Sequence, residues 1–376
     1  MDSMTFIPTN TLAGSSFDVL KMDAVEDPLI SVNKLATIDL EECYFNSAVE
    51  FIKESNRELT NCKIELYHAL SEATDERVVL ESFSDFFTKA KEIIDKFLKF
   101  IKSLFQRFIT MLNSLVGNEK YITKHKDELR KFKDVDEFKI NGYKYTFSPT
   151  IPISNASLSF NSKLFDDLAA GENDKLSANN VRDAVNNIDR EAAYDNFRAK
   201  VLNQDRAISA SDFSEELFKV FRDGELDSEE LDITSTEVRE SLSRFTDYKK
   251  TKKAVESDQK RINKDYEELQ KQVKEITKRN GDLSVNAFIS SLPDGTGINS
   301  TDSVDNQGLT MSSELMYQVD LYVKAKVDQI QEFSNIHALA FGAKLDALKA
   351  CYIQDKAILY KALSKVQRTD KKREEV

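Results

Sequence analysis

The stretch FSDFFTKAKEIIDKFLKFIKSLFQRFITMLNSLV, residues Phe83–Val116, decides the fold of this chain. It contains seven of the 24 phenylalanines. Apolar residues recur along it at steps of three and four, which places them on one face of a helix. At about 1.5 Å per residue, the helix would be roughly 50 Å long. So long and broad an apolar stripe predicts that other helices pack against it.

The opposite face of the same helix is basic. Six lysine and arginine residues lie between Lys89 and Arg107, and no acidic residue occurs from Lys96 to Asn118. Such a helix suits a buried core, an interfacial position on anionic lipid, or docking of an acidic partner or DNA. We interpret it first as the central strut of the fold, with its stripe buried. The candidate contact residues on it are Lys96, Lys99, Lys102, Arg107, Phe97 and Phe105.

Glycine and proline are scarce, and this favours long helices. The chain has ten glycines and five prolines in 376 residues, a combined share of about 4% against roughly 12% in average proteins. Proline breaks helix interiors, so long helices are expected in the proline-free spans 29–148, 153–292 and 294–376. The predicted fold class is mainly α: a long-helix bundle with coiled-coil-like packing and one small β-hairpin.

Changes in hydrophobic periodicity and composition along the chain predict four regions. Residues 1–35 show no sustained periodicity and are interpreted as an extended N-terminal arm that is ordered against a partner. Residues 36–135 form a Phe-rich helical block. Residues 136–180 hold the hairpin and a polar linker, and residues 181–376 form a long-helix and coiled-coil block. The pattern leaves open whether the two helical blocks share one core.

Local signals predict where the helices of the first block begin and end. A helix is expected from about residue 38 to residue 73. Ser82 and Asp85 have the spacing of a capping box for the Phe-rich helix, and Gly117–Asn118 is a stop signal. A short charged helix is then expected over residues 119–134.

The segment FKINGYKYTF, residues Phe138–Phe147, alternates apolar and polar residues around Asn141-Gly142. An Asn-Gly pair in this context is the strongest short-range signal for a hairpin turn. The sequence therefore predicts a β-hairpin, closed by Pro149 and Pro152. Because an isolated hairpin is marginally stable, it must lean on helices or pair with another strand.

The second block contains two long periodic segments. Thr234 and Glu237 form a capping box for a helix expected over Thr234–Lys278 and stopped by Asn280–Gly281. An apolar heptad seam along this helix would pack against either the C-terminal helix or another chain, and we favour packing within the chain. Ser312–Val366 follows, as one helix or as two with a break at Gly342. The heptad seam of the first segment consists of Val255, Ile262, Tyr266, Leu269, Val273 and Ile276.

Net charge and cysteine content restrict the classes of partner and the compartment expected for the protein. The net charge of −12 disfavours direct nucleic-acid binding. Cys43, Cys62 and Cys351 are far apart in sequence, which indicates free thiols in a reducing compartment. The first residues lack the basic and apolar regions of a secretory signal, and no uncharged apolar run is long enough to predict a membrane-spanning helix.

No motif typical of catalysis, metal binding or nucleotide binding occurs in the sequence. His68, His125 and His337 are isolated, and no Cys/His cluster has zinc-ligand spacing. Asp294–Gly297 lacks the third glycine of a dinucleotide fingerprint. We therefore expect a protein that is not an enzyme, with no catalytic, cofactor or metal residues. An active site assembled from distant residues is the remaining enzyme alternative.

The helix AKEIIDKFLKFIKSLFQRFITMLNSLV, followed after one glycine by NEKYITKHKDELRKF, resembles helical structural proteins in the virions of large tailed bacteriophages. FKINGYKYTF fits the same resemblance, which covers roughly residues 80–150. The resemblance implies a non-enzymatic virion protein, made in the host cytoplasm and packed inside the head or ejected with the DNA. Its partners would be other virion proteins or copies of itself. The alternative is a membrane-active or envelope-interacting protein that uses the basic amphipathic helix 83–116 for transient membrane contact.

Overall fold

The structure, a computed structural model, describes most of the chain after the N-terminal region. Within the described part the protein is mainly α-helical with two small antiparallel sheets of two strands each, so the predicted mainly α fold class is confirmed. The predicted arm, residues 1–35, and nearly all of the polar linker lie outside the described residues. The described residues are 43–72, 77–116, 119–145, 164, 178–188, 222–223, 229–291 and 313–374.

Eight α-helices and four short strands lie within the described residues. The first four helices are α1 (Tyr44–Glu72), α2 (Arg77–Leu115), α3 (Glu119–Lys124) and α4 (Lys126–Arg130). The others are α5 (Ala178–Asn186), α6 (Ser235–Thr246), α7 (Tyr248–Ser291) and α8 (Ser313–Glu374). The strands are β1 (Phe138–Gly142), β2 (Lys144–Tyr145), β3 (Arg222–Asp223) and β4 (Glu229–Ile233).

Helix α8 is the centre of the fold. It has 62 residues, which corresponds to a length of about 90 Å. Every residue from Phe333 to Leu345 is buried. A run of more than three turns without an exposed position means that α8 is covered from all directions. Helices α1, α2, α4, α5 and α6 pack on it, so the Phe-rich helix α2 is one of several helices around α8 and is not the central strut.

Helix α8 is unbroken at Gly342, so the two-helix alternative is wrong. Gly342 lies against the start of α1, where a Cβ atom on it would be 2.8 Å from the Tyr44 carbonyl oxygen. One turn further along α8, Asp346 accepts hydrogen bonds from the N–H groups of Tyr44 at 3.0 Å and Phe45 at 2.7 Å. The first N–H groups of a helix have no partner within that helix. Asp346 therefore caps α1 from a different helix.

The strands pair across long sequence separations. Strand β1 pairs with β4 and β2 pairs with β3, both antiparallel. The predicted hairpin turn at Asn141-Gly142 is wrong, because Asn141 lies opposite Glu230 and Gly142 lies opposite Glu229 inside a paired strand. The expectation that this segment pairs with another strand is confirmed.

Gly142 is needed for a close contact and not for a turn. A Cβ atom at this position would lie 2.9 Å from Gln354 Cδ of α8. The Gln354 side chain accepts a hydrogen bond from the Tyr143 N–H at 3.0 Å and donates one to the Tyr143 carbonyl at 2.8 Å. Tyr143 belongs to neither strand pair. The Gln354 amide thus takes the place of a strand neighbour for Tyr143 and joins the segment between β1 and β2 to α8.

The capping box of Thr234 and Glu237 is confirmed at the start of α6. The single helix predicted from there is two helices, α6 and α7, which meet at Asp247. The predicted stop at Asn280–Gly281 is also wrong, since α7 continues to Ser291.

Side chains of α8 hold both sides of the bend between α6 and α7. Arg244 of α6 donates hydrogen bonds of 3.0 and 2.8 Å to the two carboxylate oxygens of Asp355. The Tyr352 hydroxyl donates to Thr251 Oγ1 of α7 at 2.8 Å. These tertiary contacts fix a bend that no local sequence signal predicts.

The heptad seam of α7 is buried within the chain, as favoured from the sequence. Helix α7 packs mainly on α2, and its Tyr266 and Asp258 side chains also reach His337 and Lys344 of α8. Side chains from both predicted helical blocks contribute to one continuous hydrophobic cluster. The two blocks therefore share one core.

Two further boundaries differ from the prediction. Helix α2 begins at Arg77, so the predicted capping box at Ser82 and Asp85 lies inside the helix and is wrong. The helix ends at Leu115, next to the predicted stop at Gly117–Asn118, which lies outside the described residues. The short helix expected over residues 119–134 is two helices, α3 and α4, that meet at His125.

Candidate interaction surface

Helix α2 divides into a buried apolar face and an exposed polar face. The exposed positions recur every three or four residues, as the sequence predicts for a helix that packs with one side. The interpretation of the stripe as core is confirmed for its described side chains. Those buried side chains are Ala90, Ile93, Ile94, Phe97, Ile101, Leu104, Phe108, Leu112 and Leu115.

Phe97 and Phe105, two of the candidate contact residues, have different environments. Phe97 is completely buried, and its ring centroid lies 4.4 Å from that of Tyr266 on α7. Phe105 is partly buried at the edge of the core. Phe97 is therefore a packing residue and is not available to a partner or to lipid while α2 stays in the bundle.

A small polar cluster lies beside Phe97 inside the core. The Tyr266 hydroxyl is 2.9 Å from His337 Nδ1, and the Ser334 hydroxyl donates to the Tyr266 oxygen at 3.4 Å. Burial lowers the pKa of His337 to about 3 and raises the pKa of the Tyr266 phenol. The imidazole is therefore neutral, and the cluster is a hydrogen-bonded brace between α7 and α8.

Sequence reasoning did not find this cluster. It treated His337 as isolated and Tyr266 as an apolar seam residue. The residues are 71 positions apart, and their meeting depends on how α7 and α8 pack. The only usable signal in the sequence was that tyrosine and histidine each need a hydrogen-bond partner when they lie on a buried face.

Three candidate lysines form an exposed row on α2, which we call the lysine strip: Lys96, Lys99 and Lys102. Spaced three residues apart, they lie on successive turns of one side of the helix. Lys96 forms an ion pair with Glu58 of α1. Lys99 and Lys102 form no ion pair with any residue that the structure describes. The strip is thus the most basic exposed part of α2.

Arg107, the remaining candidate, is directed into the bundle. Its guanidinium carbon lies 5.6 Å from the centre of the Tyr44 ring, and its Nη2 donates to the Ser47 hydroxyl at 3.2 Å. Arg107 thus anchors the start of α1 on α2 through cation–π and hydrogen-bond contacts. The structure brings Lys96, Lys99 and Lys102 together at the surface and separates Arg107 from them.

The polar edges of α2 connect it to its neighbours on both sides. Gln270 of α7 donates a hydrogen bond to Asp95, while Lys96 reaches α1 as described. Charged side chains flanking a buried stripe fix the rotation of a helix, because any rotation breaks these contacts and exposes apolar surface. The lysine strip therefore faces solvent in a defined direction between α1 and α7.

Two other features are absent from the described residues. No group of three or more histidine, cysteine or acidic side chains is arranged to hold a metal ion there. None of the described helices has the length and apolar character needed to cross a membrane.

Comparisons with protein-family models, with curated proteins and with solved structures found no match to this chain.

Proposed function

We propose that this chain is a non-enzymatic structural protein of a bacteriophage virion that acts by helix packing and protein–protein contacts. The observation that carries the proposal is how α8 uses polar side chains that are buried or half-buried. Asp346 caps α1, Gln354 binds the Tyr143 backbone, and Asp355 holds Arg244 of α6. Each of these groups costs free energy to bury unless it is paired. Here each pairing fixes one surrounding element in place, as in a scaffold.

The bacteriophage part of the proposal comes from the resemblance carried by α2, α3, α4 and β1. Of these elements, α2 and α4 pack on α8, α3 contacts α4 and α6, and β1 pairs with β4. A chain with one continuous core, one buried central helix and a defined basic surface suits a particle component that contacts neighbours repeatedly. On this proposal the protein is located in the virion after synthesis in the host cytoplasm.

The lysine strip is the surface that we assign to such contacts. Its lysines are exposed and carry like charge, so a partner that supplies carboxylates would relieve their mutual repulsion. Exposed ion pairs are individually weak, at about 0–1 kcal/mol. A contact made this way becomes firm when many copies act together, which is the condition inside a particle.

The test of the virion assignment is quantitative mass spectrometry of gradient-purified particles of the phage that encodes the chain. We expect the protein at a fixed number of copies per particle across preparations, with an abundant non-structural phage protein as the control for carry-over. Loss of the chain from particles to the level of that control would contradict the proposal.

The alternative of membrane contact through residues 83–116 stays a prediction that a vesicle assay separates from ours. Because Phe97 is buried, the apolar face of α2 reaches lipid only if α2 leaves α1, α7 and α8. We expect no co-flotation of the folded protein with anionic phosphatidylserine vesicles at physiological salt. Flotation that the double variant Phe97→Glu/Phe105→Glu abolishes without loss of helical signal would favour the membrane alternative.

A further inference from the structure

The sheet formed by β1 and β4 has two outer edges, and side chains of α8 close the edge of β1. Lys361 Nζ donates a hydrogen bond to the Lys139 carbonyl at 3.3 Å. Further along the same edge, the Gln354 amide binds the N–H and the carbonyl of Tyr143. The backbone groups of Lys139 and Tyr143 therefore point away from β4 and towards α8.

The outer edge of β4 lies on the opposite side of this sheet, and no described strand pairs with it. In an antiparallel pair, residues that bond the neighbouring strand alternate with residues whose N–H and carbonyl groups point outward. Lys139 is an outward residue of β1, so Asp232 opposite it points outward from β4, and so does Glu230 two positions away. Beyond the pairing with β1, the backbone of Glu230 and Asp232 makes no hydrogen bond to any described residue. These groups are available to a further strand.

This open edge is acidic. The side chains of Glu230 and Asp232 are 60% and 66% exposed and share one cation, Lys139, at 3.0 and 3.9 Å. Residues 223–232 contain six acidic residues and no basic one. A second copy of β4 would bring like charges opposite one another, which is destabilising. The charge of the edge therefore favours a basic strand over a second copy of the same strand.

We infer that the outer edge of β4 binds an extended segment of another protein, which adds as a strand and has lysine or arginine at alternate positions. In strand addition, main-chain hydrogen bonds provide affinity and alternate side chains provide specificity. The basic side chains would lie beside Glu230 and Asp232 on the exposed face. This inference rests on the proposed role in protein–protein contacts, and it names the partner of a second surface besides the lysine strip.

Amide hydrogen exchange of the full-length protein, measured by NMR, tests the inference. The probe is a synthetic peptide in which lysine and threonine alternate. At saturating peptide, we expect the outward amides of Glu230 and Asp232 to exchange about tenfold more slowly or slower still, because exchange then requires the added strand to leave. The amides of Leu231 and Ile233, which already face β1, should not change.

A peptide in which glutamate and threonine alternate is the matched control, and it should protect neither outward amide. If the lysine peptide left both outward amides unprotected, or if the two peptides protected them equally, the inference would be overturned. Because this measurement uses the wild-type protein, it does not depend on whether a variant folds.

The variant Asp232→Pro provides a second test, with binding of fluorescently labelled lysine peptide measured by anisotropy. Proline removes the outward N–H and is tolerated on an edge strand whose N–H faces solvent. The matched control Asp232→Asn removes the same charge and keeps the N–H. We expect affinity to fall about threefold in Asp232→Asn, through loss of one cross-strand charge pair, and at least about tenfold in Asp232→Pro, which also loses a backbone hydrogen bond.

Circular dichroism checks that both variants keep their helices. Equal affinities of Asp232→Pro and Asp232→Asn would show that the peptide does not add to β4 and would overturn the inference. All of these measurements use the purified chain in solution. Their outcome does not depend on whether particles contain the protein, so this inference and the virion assignment fail separately.

Discussion

Helices α2 and α8 are both rich in apolar residues, yet they are built on opposite plans. Helix α2 buries one face, and the other, with the lysine strip, meets solvent. Helix α8 is buried in every direction over residues 333–345 and includes Ser334, Asn335, His337 and Lys344 among its buried positions. A one-sided helix needs only apolar side chains on its inner face. A helix covered on all sides needs polar groups as well, because they fix the position of each neighbour.

The comparison predicts that α2 is held by apolar packing, and replacement of Phe97 tests this with the largest expected effect. Phe97→Ala removes a completely buried ring and should lower the free energy of unfolding by about 3–5 kcal/mol. Phe105→Ala, at the partly buried edge, should cost about 1 kcal/mol. Urea denaturation followed by circular dichroism measures both. Equal losses at the two positions would show that the stripe is not packed as described.

The second prediction concerns the polar contacts of α8. Asp355 is 1% exposed and is paired with Arg244, whose side chain is 33% exposed. Arg244→Met leaves the carboxylate without its cation and should destabilise the protein by about 3 kcal/mol. The double variant Arg244→Met/Asp355→Leu should recover most of this loss, since both charges are then absent.

An exposed ion pair provides the control for this experiment. Lys260 and Glu256 on α7 have side chains that are 71% and 39% exposed. Lys260→Met should therefore change the free energy of unfolding by no more than about 0.5 kcal/mol. If the double variant at Arg244 and Asp355 were no more stable than Arg244→Met alone, the buried charge would not be the cause of the loss.

The smallest effect is expected from pH and again concerns α8. Burial lowers the pKa of His337 from its ordinary value of 6.5 to about 3. The unfolded chain therefore takes up a proton between these values while the folded chain does not, so stability falls as the pH drops below 6.5. At pH 5 this single group should account for about 2 kcal/mol. His337→Gln should make the fall in unfolding free energy between pH 7 and pH 5 shallower by that amount, and an unchanged slope would contradict the neutral, buried imidazole.

Sequence reasoning was reliable for α2 and for the seam of α7, for a physical reason. Both helices have one solvent-exposed face, so their apolar residues recur at helical spacing between polar residues. The exposure of Lys96, Lys99 and Lys102 could be predicted in the same way. The capping box at Thr234 was also correct, because both of its partners lie within three residues of each other.

The features that were missed depend on residues far apart in the chain. Gly142 was assigned to a turn, because its contact with Gln354 on α8 cannot be read from the neighbouring sequence. Arg107 was assigned to the exposed basic face, because its contact with Ser47 on α1 is equally distant in sequence. Lysines on a helix usually belong to a solvated face, but several lysines of α8 are buried. Lys326 is only 6% exposed, and burial lowers its pKa to about 8.

The cap that Asp346 places on α1 has a consequence for the order of events during synthesis. The two partners are 302 positions apart, and a ribosome that adds about 5–20 residues per second needs roughly 15–60 s to pass from one to the other. During that time the first N–H groups of α1 lack the Asp346 carboxylate, and the apolar stripe of α2 lacks its contacts with α8. The nascent chain therefore emerges with the α8-facing side of the α2 stripe uncovered until α8, the last helix that the structure describes, has been made.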